Sequence, residues 1–293
     1  MIQIWSTVLD AIPISVILSC MLYFHVALPS EARPLIDFYQ LRQYFSPIPY
    51  RIYRSDEVCL VISGQGKIAT AAAISATSIQ FQKYPGPWIN IGIAGHSSAA
   101  IGEIFLVNKA IEHSTNATYY PSMPFEIPIR GSSIITCDQP NSKYSEDCLY
   151  DMESSAFLHV GQQYVPAELA HSIKIVSDNT KNSFKDITTK IIVEHIASTI
   201  DRITILQDCI APFVRKWIEI ETDPSLYLEA LTQWKFSQTQ QSELRRLLRQ
   251  WQNVSSQKYP WTKTPSSSHA VLIELKNALS DINHAPDLSS KTA

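Results

Sequence analysis

Short apolar runs alternate with helical segments along the first two thirds of the chain. The runs that predict buried strands are 20–27, 58–63, 88–95, 102–113, 132–138 and 171–179. The intervening segments 68–84 and 154–164 have the composition of helices. Strands that alternate with helices predict an α/β fold with a mostly parallel sheet.

The pattern changes at about residue 206, beyond which helical segments are amphipathic and rich in Arg, Gln and Leu. Residues 226–234, 242–254 and 269–282 predict helices, and the polar stretch 255–268 separates the last two. We therefore predict an α/β domain over 1–205 and a helical C-terminal extension over 206–293. The last ten residues predict a disordered tail.

The N-terminal run 11–28 is long and apolar enough to compare with a membrane span or a signal peptide. No Lys or Arg precedes Arg33, and Pro13 and His25 interrupt the run. We interpret its end, around 20–27, as a fully buried parallel strand. The expectation is a protein without a membrane partner.

Composition narrows the class of protein. The chain has 293 residues, of which 45% are hydrophobic, and its net charge is −3 without any basic block. Nucleic acid is therefore not an expected partner. Five scattered cysteines without a C-x-x-C pair indicate reduced thiols in a cytoplasmic protein, and neither a disulfide framework nor a zinc site.

Four carboxylates stand at or near the ends of predicted strands: Glu31, Asp151, Glu153 and Asp178. Six of the eight glycines lie between residues 64 and 102, after strand ends. Ligands of open α/β sheets bind at this edge, so the two observations together indicate a site. Each carboxylate alone is open to another interpretation, for example that Glu153 is a surface charge at a helix start.

Four motifs occur in a fixed order: "ALPSEA" (27–32), "ISGQGKIATAAA" (62–73), "INIGIAGHSSAAIGEIFLV" (89–107), and "DMESSAF" (151–157) with "KIVSDN" (174–179). Together they resemble the nucleoside phosphorylase superfamily, and most closely its methylthioadenosine/S-adenosylhomocysteine nucleosidases. The resemblance spans about 20–200. It implies a three-layer α/β fold around a mixed, mostly parallel sheet.

The resemblance also implies roles for the residues that match these motifs. Asp178 would be the general acid that protonates a purine leaving group, with Ser177 orienting it. Glu31 would activate the attacking water on the other side of the sugar. Glu153 would bind the ribose hydroxyls, and Met152 would pack beneath the sugar.

Seven further positions complete the substrate-binding set that the resemblance implies: Asp151, Lys174, Ser63, Gly64, Gly66, Ala94 and Gly95. Asp151 has a simpler alternative role as a helix cap. The resemblance implies a purine nucleoside as small-molecule partner, a homodimer, and a reaction without a cofactor or a metal.

The sequence departs from the family pattern at several positions, and these differences leave more than one reaction and substrate to consider. The loop "SGQGK" has no arginine for phosphate, which favours hydrolysis, although Arg33 is a candidate for a phosphorylase. Lys174 and His96 replace the family's arginine and small residue, and "TCDQPNSKY" (136–144) replaces the segment whose aromatic residue stacks on the purine. A nucleosidase is favoured over a phosphorylase, a non-catalytic nucleoside-binding relative, or an interaction protein that acts through its C-terminal helices.

Overall fold

The computed structural model describes residues 20–141, 143–221, 223–261 and 263–283. The chain forms two compact units, which divide between Glu219 and Ile220. The predicted domain boundary at 205/206 falls inside a helix that runs from Ile200 to Glu221. The first part of the apolar run 11–28, up to residue 19, and the predicted disordered tail lie outside the described residues.

The described strands are β1 Leu22–Val26, β2 Arg42–Tyr44, β3 Arg51–Arg54, β4 Val58–Ile62, β5 Trp88–His96, β6 Ile104–Glu112, β7 Thr118–Tyr119, β8 Arg130–Thr136, β9 Leu149–Asp151 and β10 Ala170–Asn179. The described α-helices are α1 Pro29–Phe38, α2 Lys67–Gln80, α3 Ser154–Gly161, α4 Thr189–Ser198, α5 Ile200–Glu221, α6 Ser225–Gln233, α7 Gln238–Val254 and α8 Ser268–Asn283. All the strands predicted from apolar runs are present. The strands that the sequence did not predict are the short ones, β2, β3, β7 and β9, because two to four residues carry too little pattern.

One sheet contains all ten strands of the described residues, in the order β10-β6-β8-β9-β5-β1-β4-β3-β2, with β7 beside β6. β1 is parallel to both β4 and β5, and β5 is parallel to β10. Because β10 also pairs with β6, the strands β5, β10, β6, β8 and β9 close into a ring. The parallel part is buried on both faces, which explains why β1 and β4 are almost continuously apolar.

Helices cover the sheet in packed pairs, α1 against α4 and α2 against α3. Burying the apolar faces of helices against a sheet is what stabilises an α/β domain, at about 25 cal/mol for each Å² of apolar surface. The predicted three-layer α/β fold with a mixed, mostly parallel sheet is confirmed.

The second unit contains α6, α7 and α8 around its own apolar core, in which Leu244, Leu248, Trp251 and Leu275 are buried. The helices predicted at 226–234, 242–254 and 269–282 are all present. Among the described residues, no helix is both long and apolar enough to cross a bilayer.

Candidate active site

A cavity of about 240 Å³ opens in the first unit, where the carboxyl ends of β5 and β10 meet the start of α1. Eight of the residues predicted as site residues line it: Glu31, Ala94, Gly95, Asp151, Met152, Glu153, Ser177 and Asp178. They come from motifs far apart in the sequence, and the topology brings them together because parallel strands end at the same edge. Ser63, Gly64, Gly66 and Lys174 do not line the cavity.

Glu31 is buried in the first turn of α1 and is held by backbone amides on both carboxylate oxygens. Its Oε2 accepts hydrogen bonds from the amides of Ala27 (3.0 Å) and Leu28 (2.8 Å), and its Oε1 accepts one from the amide of Ile93 (3.1 Å). Burial raises the pKa of Glu31, although Lys174 and the three amides oppose the shift. The carboxylate is therefore fixed in direction and biased toward taking up a proton.

Lys174 lies on β10 directly opposite Gly92 of β5. A Cβ at Gly92 would stand 3.0 Å from both Glu31 Oε1 and Lys174 Nζ, so glycine is what leaves room for the pair. Burial alone would lower the pKa of Lys174, but the neighbouring carboxylates, Asp151 first, outweigh it and raise the pKa. The lysine is therefore a buried cation behind the cavity wall.

Asp151 is fully engaged in supporting contacts. Its Oδ2 lies 3.1 Å from Lys174 Nζ and accepts a hydrogen bond from the amide of Ser154 (2.8 Å). Its Oδ1 accepts one from Thr136 Oγ1 (2.8 Å). The bond to Ser154 satisfies an amide in the first turn of α3, which is the capping role considered from the sequence.

Glu153 is buried at the start of α3, and its carboxylate accepts a hydrogen bond from the glycine-containing loop 63–67. The amide of Gly66 donates to Oε1 (2.8 Å), and the amide of Met152 lies 3.3 Å from Oε2. Burial and the nearby charge of Asp151 raise the pKa of Glu153 to about 7. Glu153 is thus a buried carboxylate that lines the cavity, and the alternative of a solvated surface charge is wrong.

Ser63 and Gly64 connect the site to a buried polar network. Ser63 Oγ donates to the carbonyl of Gly64 (2.6 Å) and lies 2.9 Å from Nε2 of His25. The other ring nitrogen of His25 lies 3.1 Å from Asn90 Oδ1. Burial lowers the pKa of His25 to about 4, so this histidine is neutral and structural.

A β-bulge places Asp178 at the cavity. The register between β10 and β5 shifts between Val176 and Asp178, which makes Ser177 the extra residue. Ser177 Oγ donates to Asp178 Oδ1 (2.6 Å). The orienting contact that the resemblance implied for Ser177 is therefore present.

Tyr144 contacts Asp178, and the sequence did not identify it as a site residue. Its hydroxyl donates to Asp178 Oδ2. A Cβ at Gly95 would stand 2.6 Å from Tyr144 Cε1 and 2.8 Å from Asp178 Oδ2, so glycine at this position admits the contact. The available signal was that Tyr144 is the aromatic residue of 136–144, the segment that departs from the family pattern.

Acidic residues predominate among the ionisable side chains that line the cavity. Four carboxylates line it, and none of the described lining residues is an arginine or a lysine. Arg33, the candidate phosphate ligand, instead pairs with Asp37 at 2.8 Å on an exposed face of α1. In the described part of the chain, no group of three or more His, Cys, Asp or Glu side chains is arranged to hold a metal ion.

Comparison with known proteins gives a match in fold. No protein-family model matches the sequence, and no curated protein matches it. Solved structures with a similar fold include the methylthioadenosine/S-adenosylhomocysteine nucleosidases of Helicobacter pylori (14% identity, 62% of this chain and 98% of that chain, TM-score 0.53) and of S. pneumoniae (19%, 65% and 99%, 0.52). The futalosine hydrolase of H. pylori is also similar (12%, 65% and 98%, 0.55). The nucleoside phosphorylase-like fold expected from the motifs is confirmed.

Proposed function

We propose that this protein hydrolyses the N-glycosidic bond of a purine nucleoside, with water as the nucleophile. The observation that carries the proposal is the cavity walled by Glu31, Asp151, Glu153 and Asp178 without a cationic side chain among its described lining residues. The fold neighbours named nucleosidase and hydrolase support the same class of reaction.

In the proposed reaction, the bond between the anomeric carbon and the purine breaks and its electron pair goes to the base. Asp178 donates a proton to N7 of the departing purine, and Ser177 keeps the acid in position. The sugar passes through an oxocarbenium-like state, which nearby carboxylates stabilise. Water then bonds to the anomeric carbon and loses a proton to Glu31, which gives a free base and a free sugar.

Glu153 is proposed to accept hydrogen bonds from the 2′- and 3′-hydroxyls of the ribose. Its oxygens are fixed by the amides of Gly66 and Met152, so the geometry is set before the substrate arrives. Asp151 and Lys174 would act behind it, because their mutual contact neutralises part of the negative charge.

The finer substrate class follows from the apolar part of the cavity. The larger apolar side chains that line it are Leu28, Ile93, Met152, Phe184, Ile187 and Ile192. An apolar 5′-substituent, such as the methylthio group of 5′-methylthioadenosine, would bury its surface against them at about 0.8 kcal/mol for each CH₂ group. We propose such 5′-modified purine nucleosides as the preferred substrates, in a pathway of nucleoside catabolism.

The acidic side chains that line the cavity favour hydrolysis over phosphorolysis. A phosphate dianion beside four carboxylates needs cationic donors, and Arg33 is occupied by Asp37. A phosphorylase remains the alternative that the experiment below would reveal, and so does a non-catalytic nucleoside-binding relative.

The test is release of free base from a panel of purine nucleosides, with and without inorganic phosphate. We expect release that is independent of phosphate and yields free sugar. Asp178→Asn should lower kcat by about 10²- to 10⁴-fold, because an amide cannot supply the proton. Asp37→Asn, which changes an exposed carboxylate of α1, should leave kcat unchanged.

Each other outcome points to a different function. Release that requires phosphate and yields ribose 1-phosphate would assign a phosphorylase. Binding without release, measured by calorimetry, would assign a non-catalytic relative. The expected cytoplasmic location and homodimer also remain proposals, and sedimentation of the purified chain tests the dimer.

A further inference from the structure

Resting on the proposed role of Glu153 at the ribose, we propose that His25 and Asn90 are positioning residues for Glu153. They act through a buried chain of hydrogen bonds, in which the neutral imidazole of His25 carries its hydrogen on Nε2 and the amide of Asn90 donates to Nδ1.

A chain of five polar side chains joins the two elements that hold Glu153. Its members, in order, are Ser154, Ser172, Asn90, His25 and Ser63, and none of the first four is more than 1% exposed. Ser154 directly follows Glu153 at the start of α3, and Ser63 begins the loop whose Gly66 amide donates to Glu153 Oε1 (2.8 Å). Both ends of the chain are therefore close to the same carboxylate.

Successive members of the chain lie within hydrogen-bond distance of each other. Ser154 Oγ lies 3.2 Å from Ser172 Oγ, which lies 3.1 Å from the side-chain amide of Asn90. His25 Nδ1 lies 3.1 Å from the same amide, and His25 Nε2 lies 2.9 Å from Ser63 Oγ. The chain thus crosses neighbouring strands of the sheet, from β10 through β5 and β1 to the end of β4.

Ser63 has one hydroxyl hydrogen and two close neighbours that could accept it. Its Oγ lies 2.6 Å from the carbonyl oxygen of Gly64, and two oxygens at that distance repel each other unless a hydrogen lies between them. The hydroxyl hydrogen is therefore used on Gly64. The contact between Ser63 Oγ and His25 Nε2 must then take its hydrogen from the histidine.

His25 consequently carries its single hydrogen on Nε2. Burial lowers the pKa of His25 to about 4, so the imidazole is neutral at pH 7 and has no second hydrogen. A neutral imidazole protonated at Nε2 has an acceptor at Nδ1. Asn90 must accordingly turn its NH₂ group toward His25.

This arrangement exchanges the places of Oδ1 and Nδ2 of Asn90, which half a turn of the amide achieves. The amide oxygen then faces the hydroxyls of Ser172 and Ser154, and each of them has a hydrogen to donate. One amide hydrogen gives up a serine acceptor, which costs less than a buried imidazolium would. All hydrogen bonds of the chain then run in one direction, from Ser154 to the carbonyl of Gly64.

The chain ends on a loop that needs restraint. Gly64 and Gly66 have φ angles of 87° and 97°, and glycine has more backbone freedom than any other residue. Without the hydrogen from His25, Ser63 loses the donor that fixes its hydroxyl beside Gly64. We expect the Gly66 amide to be held less firmly at Glu153 as a result.

The tautomer of His25 is tested by NMR on the wild-type protein without substrate. In protein labelled with ¹⁵N-histidine, the ring signals that disappear in His25→Phe belong to His25. We expect a protonated Nε2 and an unprotonated Nδ1 at pH 7. A hydrogen on Nδ1, or on both nitrogens, would overturn the inference, whether or not any nucleoside is cleaved.

Hydrogen exchange of the Gly66 amide tests the effect on the loop. His25→Phe should speed this exchange by about tenfold, because a hydrogen bond in the chain is lost. His25→Gln should stay close to the wild type, since glutamine offers an amide hydrogen in place of Nε2–H and an oxygen that accepts from Asn90. An unchanged rate in His25→Phe contradicts the inference, and so does an equal increase in both variants, which would assign the effect to packing.

His171→Phe is the matched control. His171 is also buried with a pKa lowered to about 4, but its Nε2 bonds to the carbonyl of Glu168 (2.7 Å) and not to the chain. This variant should leave the exchange of the Gly66 amide at the wild-type rate. Faster exchange equal to that of His25→Phe would show a general loss of stability and would also overturn the inference.

Adenosine and 2′-deoxyadenosine connect the chain to the proposed reaction, because they differ only in a hydroxyl that Glu153 would bind. We expect His25→Phe to lower the ratio of their kcat/KM values, ribose over deoxyribose, by about tenfold. His171→Phe should keep the wild-type ratio, and an unchanged ratio in His25→Phe would remove the positioning role. If the wild-type protein cleaved neither compound, the proposed function would fail for them, whereas the tautomer and the exchange rates would still decide the role of His25.

Discussion

Lys174 Nζ lies 3.1 Å from Asp151 Oδ2, and the two side chains are only 2% and 1% exposed. Asp151 lines the cavity together with Glu31 and Glu153, whereas Lys174 does not line it. Without a cation these carboxylates would face one another in a medium of low dielectric, at a cost of several kcal/mol. The buried lysine therefore allows acidic residues to gather at one place, and Gly92 provides the space for its ammonium group.

Replacing Lys174 with methionine should strongly destabilise the first unit. The change keeps an unbranched apolar stem but leaves Asp151 as a buried charge without its cation. We expect the free energy of unfolding to fall by about 3–5 kcal/mol, as measured by urea denaturation followed by tryptophan fluorescence.

Lys190→Met is the matched control for this prediction. Lys190 pairs with Glu194 at 3.8 Å on an exposed face of α4, where ion pairs contribute little. We expect a change within about 0.5 kcal/mol. If Lys174→Met were equally mild, the pair would not be what compensates the buried carboxylates.

The pH dependence of stability should contain a contribution from Glu153. Because its pKa is raised from 4.5 to about 7, the folded protein holds this proton more tightly than the unfolded chain does. The stabilisation is complete below pH 4.5 and is lost as pH rises through 7. At pH 8, Glu153→Gln should therefore be more stable than the wild type, by up to about 3 kcal/mol. The difference should shrink at pH 5.5.

The two buried histidines change the stability in the opposite direction as pH rises. Burial lowers the pKa of His25 and of His171 to about 4, so the stability from their neutral forms is lost as pH falls from 6.5 toward 4. Both are present in the wild type and the variant, so subtracting the two thermal unfolding curves isolates Glu153. A difference that is constant from pH 5.5 to 8 would contradict the raised pKa.

Glu31→Gln should separate chemistry from binding. A glutamine has one acceptor oxygen for three amide donors, and it cannot accept a proton from water. We expect kcat to fall by about 10²- to 10⁴-fold. Binding of free base should be unchanged, because the base is proposed to contact Asp178 instead.

Glu57→Gln, at an exposed position before β4, is the control for Glu31→Gln. It should retain full activity, and thermal unfolding of both variants shows whether each folds. A folded Glu31→Gln protein with wild-type kcat would remove Glu31 from the mechanism.

The sequence predicted most of the sheet, because buried parallel strands consist of long apolar runs. β1, β4, β5 and β10 were visible for this reason, and Glu31 and Asp178 follow from their ends. The ring formed by β5, β10, β6, β8 and β9 was not predictable in the same way. It depends on pairings between strands that are distant in sequence, and β9 has only three residues.

The sequence predicted which residues form the site better than it predicted how they contact one another. Lys174 was expected to contact the substrate, yet its ammonium group contacts Asp151. The position of that group depends on the space left by Gly92, the residue that pairs with Lys174 on the neighbouring strand β5. Tyr144 reaches Asp178 across 34 positions of sequence through an irregular segment. No local pattern encodes such a contact, and only the chemistry of the segment marked it as unusual.

The second unit offers a test of local helix energetics. Ser237 caps α7: its Oγ accepts from the amide of Gln240 (3.3 Å), while Gln240 Oε1 accepts from the amide of Ser237 (2.9 Å). Ser237→Ala removes one half of this box and should destabilise α7 by about 1 kcal/mol, seen as faster hydrogen exchange of its amides. Ser242→Ala, inside the same helix, should leave exchange unchanged or slower, because alanine is the better helix former there. Equal effects of the two substitutions would mean that the box does not stabilise α7.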